Sequence, residues 1–278
     1  SFVQEQFPKT LSETGLFHST RELTPSKGVH RYALNTSMWM EGAEAEFHLA
    51  IPGSEQARLF QSEQKTFDWF KSKVLFPKGT VLSKTYSLRG TRIETQISHY
   101  EGPNDWRFYT YRWLEDQSDA VLVPASGEKY PIKVGDNDEV RSWNFGSRTE
   151  CRICHTPWSG DSLGFIEEQL RAPEQSHDSW RSLHETGVIH WDDRNMPKSD
   201  KEFQGFVNLD AHASSLQSRA RSYLHANCAH CHQFGGNGAA AFDVRWNRTE
   251  QEMKCMNAVP MKGTLGIENG VLIKPGDP

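Results

Sequence analysis

A chain of 278 residues suits one large domain or two ordinary ones, and nine Trp with fifteen Phe supply ample apolar surface for a core. A net charge of -5 without any basic run argues against a nucleic-acid partner. No run approaches the roughly 20 apolar residues of a membrane-crossing helix, so no membrane span is expected.

Residues 1 to about 146 read mainly as β. From Arg92 to Tyr100, Ile93, Thr95, Ile97 and His99 alternate with polar neighbours, the period of a half-buried strand. Glu101-Gly-Pro-Asn-Asp105 is a turn signal, and a second strand follows from Trp106 to Leu114. There Trp106, Phe108 and Thr110 share one face and Tyr109, Tyr111 and Trp113 the other, which predicts a strand covered on both sides. Shorter candidates are Thr80 to Leu88, Ala120 to Val123, Tyr130 to Val134 and Val140 to Phe145, separated by turns. Short strands with regular turns predict an antiparallel sandwich or barrel. His30, His48 and His99 read as structural or surface residues rather than ligands.

From Arg148 the pattern turns helical. Leu163 to Leu170 and Ser176 to Val188 read as short helices, and residues 191 to 213 as a polar loop. From Ser214 onward Leu216, Ala220, Tyr223 and Leu224 recur at steps of three and four, and Cys228 continues that face. Gly235-Gly-Asn-Gly238 is a turn where a close backbone approach is possible. The resulting expectation is an α+β protein. An antiparallel β-rich domain spans 1–146, and a mainly α-helical two-haem cytochrome c region spans 147–278.

Two stretches carry the chemistry: Cys151-Arg-Ile-Cys154-His155 and Cys228-Ala-His-Cys231-His232. Each is a complete C-x-x-C-H, the pattern of covalent c-type haem attachment. Two thiols one helical turn apart can each add to a vinyl group of one porphyrin. The histidine that follows then lies beneath the ring as an iron ligand. The pattern therefore predicts two haem c groups with iron, held by Cys151, Cys154, Cys228 and Cys231, with His155 and His232 as axial ligands. Three other readings of the thiols stay open: a four-thiolate zinc site, a thioredoxin-type redox pair, and ordinary disulfides. Cys255 is left over and reads as a small buried residue.

The sixth iron ligands are open. Met196, His190, His212 and His225 are candidates for one haem; Met253, Met256, Met261 or a residue beyond Pro278 for the other. His230, inside the second motif, reads as facing solvent or a propionate. Attachment of this kind takes place outside the bacterial cytoplasm. A periplasmic or cell-surface location follows as an expectation, with an export signal already removed. Electron transfer to a redox partner protein is the expected function. The alternatives are a haem enzyme of the two-haem peroxidase type, and a haem protein whose β domain binds a glycan or a protein.

The chain also resembles a family of bacterial two-haem c-type cytochromes with an N-terminal β-rich region. The likeness is carried by Leu11-Ser-Glu-Thr-Gly-Leu-Phe17, Trp39-Met-Glu-Gly-Ala43, Phe76-Pro-Lys-Gly-Thr80, Ile93-Glu-Thr95, Tyr111-Arg-Trp113 and Asp119-Ala120. It continues through the first haem motif, Leu163-Gly164, Gln169-Leu170, Arg219-Ala-Arg-Ser-Tyr-Leu-His-Ala-Asn-Cys228 and Lys274-Pro-Gly-Asp277. The resemblance implies electron transfer in the periplasm or at the cell surface. It also implies a Met-Pro-Pro segment beyond Lys-Pro-Gly-Asp, which this sequence does not contain.

Overall fold

The computed structural model describes residues 7–60, 73–103, 105–135, 139–171, 179–190, 205–239 and 241–276. In chain order the strands are β1 (Phe17–Ser19), β2 (Thr24–Pro25), β3 (Val29–Tyr32), β4 (Glu44–Ala50), β5 (Ala57–Phe60), β6 (Lys73–Leu75) and β7 (Val81–Leu88). They continue with β8 (Thr91–Gly102), β9 (Asp105–Trp113), β10 (Ala120–Leu122), β11 (Glu128–Val134), β12 (Glu139–Phe145) and β13 (Ile189–His190). Six of these form one antiparallel sheet in the order β10-β9-β8-β7-β4-β3. Strands β3 and β10 are its two edges, so the sheet is open and not closed into a barrel.

The long hairpin β8–β9 is the spine of this sheet, with Thr95 opposite Tyr111 and Tyr100 opposite Trp106. Successive side chains of β9 point to opposite faces. Trp106 and Phe108 join a core cluster with Phe47, Leu49 and Leu82. Tyr109, Tyr111 and Trp113 join Leu11, Leu16 and Phe17 on the other face. The strand is covered on both sides, as its aromatic alternation predicts. The hairpin β11–β12 builds a third cluster, in which Trp143 and Phe145 pack with Leu88 and Ile93.

The expectation of a mainly α-helical second half is not met. The described chain is 31% strand against 18% helix. Its α-helices are short: α1 (Arg148–Cys154), α2 (Glu167–Leu170), α3 (Ser179–Glu185), α4 (Leu216–Leu224) and α5 (Glu250–Met253). The physical reason lies in what the apolar residues pack on. Phe165, Leu170, Trp180 and Leu183 are buried in one cluster with Phe47, Leu49, Leu82, Trp106 and Phe108 of the large sheet. Burying such side chains stabilises by roughly 1.5–3 kcal/mol each, which outweighs the weak helix preference of a few residues. Strand β13 pairs in parallel with β5, Ile189 opposite Ala57. The main core thus runs across the expected boundary at residues 146 and 147, which falls between β12 and α1.

Candidate functional site

The first motif closes helix α1. Ser147 caps its start: the Ser147 hydroxyl accepts from Glu150 N at 3.1 Å, and Glu150 Oε2 accepts from Ser147 N at 2.7 Å. Cys151 and Cys154 lie one turn apart, and His155 is the first residue past the helix. Cys151 packs against the main core. The His155 Nδ1 is hydrogen-bonded to the Asp161 carbonyl. A carbonyl only accepts, so Nδ1 carries the proton and Nε2 keeps its lone pair for a metal. Burial pushes the ring down to about 4, so it is neutral at neutral pH, as a ligand must be. Asp161 holds a left-handed backbone, φ 54°, to present that carbonyl.

His155 opens onto a cleft of about 240 Å³ between α1 and the large sheet. Cys151 and Cys154 line one side; Phe47, Leu82, Lys84, Tyr86 and Gln96 line the sheet side. Met38 and Met40, from the segment between β3 and β4, close another wall. Most of the lining is apolar. This is the chemistry a porphyrin needs: greasy walls, two thiols at one edge and an imidazole beneath.

The second motif follows α4. Ser215 caps that helix by accepting from Ser218 N at 3.0 Å. Beyond Leu224 the helix widens to a π-helical turn over His225–Ala229, which includes Cys228. Such turns recur at functional sites. Cys231 N and His232 N donate to Cys228 O at 3.1 and 2.8 Å. Phe242 stacks on the His232 ring, centroids 4.2 Å apart. The His232 Nδ1 is buried and has no hydrogen-bond partner. The first motif therefore fits a haem well. The second has its thiols and imidazole in order but lacks the acceptor that fixes His155.

The two motifs meet. Ligand atoms of Cys154, His230 and Cys231 all lie within 4.8 Å of one another. Burial, and then the neighbouring Cys231, push the Cys154 thiol up to about 11. Asn237 Nδ2 donates to Ile153 O at 2.6 Å, and Trp158 meets Phe234 edge to face at 5.7 Å. The glycine turn makes this contact possible: a Cβ on Gly235 would strike the Trp158 ring, and one on Gly238 would sit 2.8 Å from His232 Nδ1. Across the junction, Trp39 N donates to Asn227 Oδ1 at 2.7 Å. Trp39, Ile153, Trp158 and Phe234 are all exposed here, an apolar surface of the sort a bound planar ring covers. No disulfide joins any two of the five cysteines.

The sixth-ligand candidates separate. Met196 lies outside the described residues. His190 ends β13 and His212 sits in a turn; both are exposed and neither lines the cleft. His225 lines a small cavity of about 40 Å³ together with Met38 and His230. Its Nδ1 accepts from Trp246 N at 3.2 Å, so the proton sits on Nε2. Ligation through Nε2 would force a proton onto Nδ1 against that donor. Met253 is buried beside Cys255 in a cluster that Cys228, Phe242 and Met256 adjoin, and Met261 is exposed. Cys255 is a buried core residue, as expected.

Met38, Met40, Lys84, Tyr86 and Gln96 escape sequence reasoning as site residues. One signal was present: Lys84 is a charge on the Leu82, Tyr86 and Leu88 face of a strand, where the pattern calls for an apolar residue.

No family model, no curated protein and no solved structure matches this chain. The likeness to two-haem cytochromes rests on its quoted segments alone. Among the described residues no helix is long and apolar enough to cross a membrane.

Proposed function

We propose that the chain is a two-haem c-type cytochrome that transfers electrons outside the cytoplasm to a redox partner protein. The observation that carries this reading is the first motif's setting: two thiols, and an imidazole whose Nε2 is left open, on an apolar cleft. Haem, when bound, supplies a one-electron iron couple. The chain's part is to hold and tune it. Cys151 and Cys154 anchor one ring and Cys228 and Cys231 the other. The Asp161 carbonyl fixes the tautomer and orientation of His155 and makes its imidazole a stronger donor. Phe47, Leu82 and Tyr86 exclude water on the sheet side. The junction of Cys154 with Cys231 brings the two attachment points together, the arrangement an electron relay needs.

The test is the intact mass of the reduced, denatured protein isolated from a host that attaches haem c. A gain equal to two haems supports the reading; a gain of one removes the relay; no gain defeats it. A second reading has one observation behind it, the Cys154, His230 and Cys231 group, which offers three ligands to zinc. Zinc leaves on denaturation and thioether-bound haem does not, so the same measurement separates the two. Rapid peroxide turnover by the reduced protein would shift the reading from carrier to peroxidase-type enzyme.

A further inference from the structure

The cleft beside His155 contains one charge that the motifs do not explain. Lys84 stands in the middle of β7, between Phe47 on β4 and Gln96 on β8. Its face neighbours Leu82 and Tyr86 are cleft-lining and buried. The ammonium sits 4.6 Å from the centre of the Tyr86 ring. Among the described residues no carboxylate lies within ion-pair distance of it. The nearest acid on the strand beside it is Glu94. That side chain is fully buried and accepts from Trp143 Nε1 and Gln96 Nε2, both at 2.8 Å. Burial raises the Glu94 carboxyl, while those two hydrogen bonds and the Lys84 charge pull it down; both its oxygens are taken by Trp143 and Gln96, and neither contacts the ammonium. Lys84 lines the same cleft as Cys151, Cys154 and His155.

A half-buried cation in an apolar cleft is costly unless an anion joins it. Under the function proposed above, the cleft's occupant is an apolar ring that carries carboxylates. We infer that Lys84 is the cation that receives a propionate carboxylate of the first haem, and so positions that ring and raises its potential. This rests on the haem reading. A cation beside the ring favours the reduced, more negative state, and an unpaired propionate does the reverse.

The experiment compares the full-length holoprotein with Lys84→Met, Lys84→Arg and Lys84→Gln by intact mass, ferric spectrum and redox titration. Both haems should remain attached in every variant. Lys84→Met should shift the equilibrium of one centre about tenfold toward the oxidised form, about 59 mV for one electron, and leave the other unchanged. Lys84→Arg should keep the wild-type value. If Lys84→Met does not accumulate, Lys84→Gln is read the same way. Unchanged potentials in the charge-removing variants, with both haems attached, would overturn the inference. A switch of one ferric centre from low to high spin in those variants would also overturn it, by placing the amine on the iron. Absence of haem from the wild-type protein is a separate outcome: it defeats the functional reading itself, and the inference falls with it.

Discussion

The thiols of Cys154 and Cys231, from two distant C-x-x-C-H motifs, lie within 4.8 Å of each other. Thioether attachment at these two positions would bring two porphyrin edges to one point on the surface. An electron on one centre then repels a second electron on its neighbour, strongly so where water is partly excluded. The redox titration should show two steps whose separation exceeds the difference between two single-haem variants, Cys151→Ala/Cys154→Ala and Cys228→Ala/Cys231→Ala. Equal separations would mean that the two centres do not sense each other.

Gly238 tests the second motif by itself. An added Cβ would stand 2.7 Å from Cys231 O and 2.8 Å from His232 Nδ1, and the ring has Phe242 stacked on its face. Gly238→Ala must therefore displace either the ring or the turn, at about 1–3 kcal/mol. The expected result is a lower urea midpoint and a changed spectrum of one haem, with both haems still present by mass. An unaltered spectrum would show that His232 is not held by this turn.

The sheet and the site were legible to different degrees, for physical reasons. The β8–β9 hairpin was readable because its aromatic and β-branched residues alternate over a long run, and a single register satisfies both faces. Strand β4, Glu44-Ala-Glu-Phe-His-Leu-Ala50, gave no such signal. Glu, Leu and Ala favour helix, and only its place between β3 and β7 makes it a strand. The helices of the second half were over-read. Leu170, Trp180 and Leu183 have helical spacing but pack on the sheet, a contact that local periodicity does not contain. The two C-x-x-C-H motifs were visible as patterns because a short spacing defines them. The cleft was not, because Met38 and Lys84 come from elements far from the motifs in sequence and only the fold brings them together.

Asp161 links backbone conformation to His155, the proposed iron ligand. Its left-handed φ of 54° is one that Asp and Asn adopt and a β-branched residue does not. Asp161→Asn should leave the ferric spectrum of the first haem as it is. Asp161→Val should cost about 1–2 kcal/mol, turn the carbonyl away from His155 Nδ1 and shift the potential of that haem. Identical spectra and potentials in the two variants would remove the carbonyl from any role in orienting the ring.

His48 sets the acid limit of the sheet. It lies on β4 opposite Arg31 on one side and Ser83 on the other, 1% exposed, and neither ring nitrogen has a hydrogen bond. Burial, and then the Arg31 charge, push it down to about 4. The unfolded chain takes up this proton as pH falls below the ordinary value of 6.5, while the folded chain resists until about 4. Stability is therefore full above 6.5, is lost across that window and levels off below it, by at most about 3 kcal/mol. Urea midpoints measured through the window should fall more steeply for the wild type than for His48→Leu, which has no proton to gain. Parallel profiles would mean that the folded ring does take the proton. Glu46 Oε1, 3.3 Å from Nε2, would then be its partner.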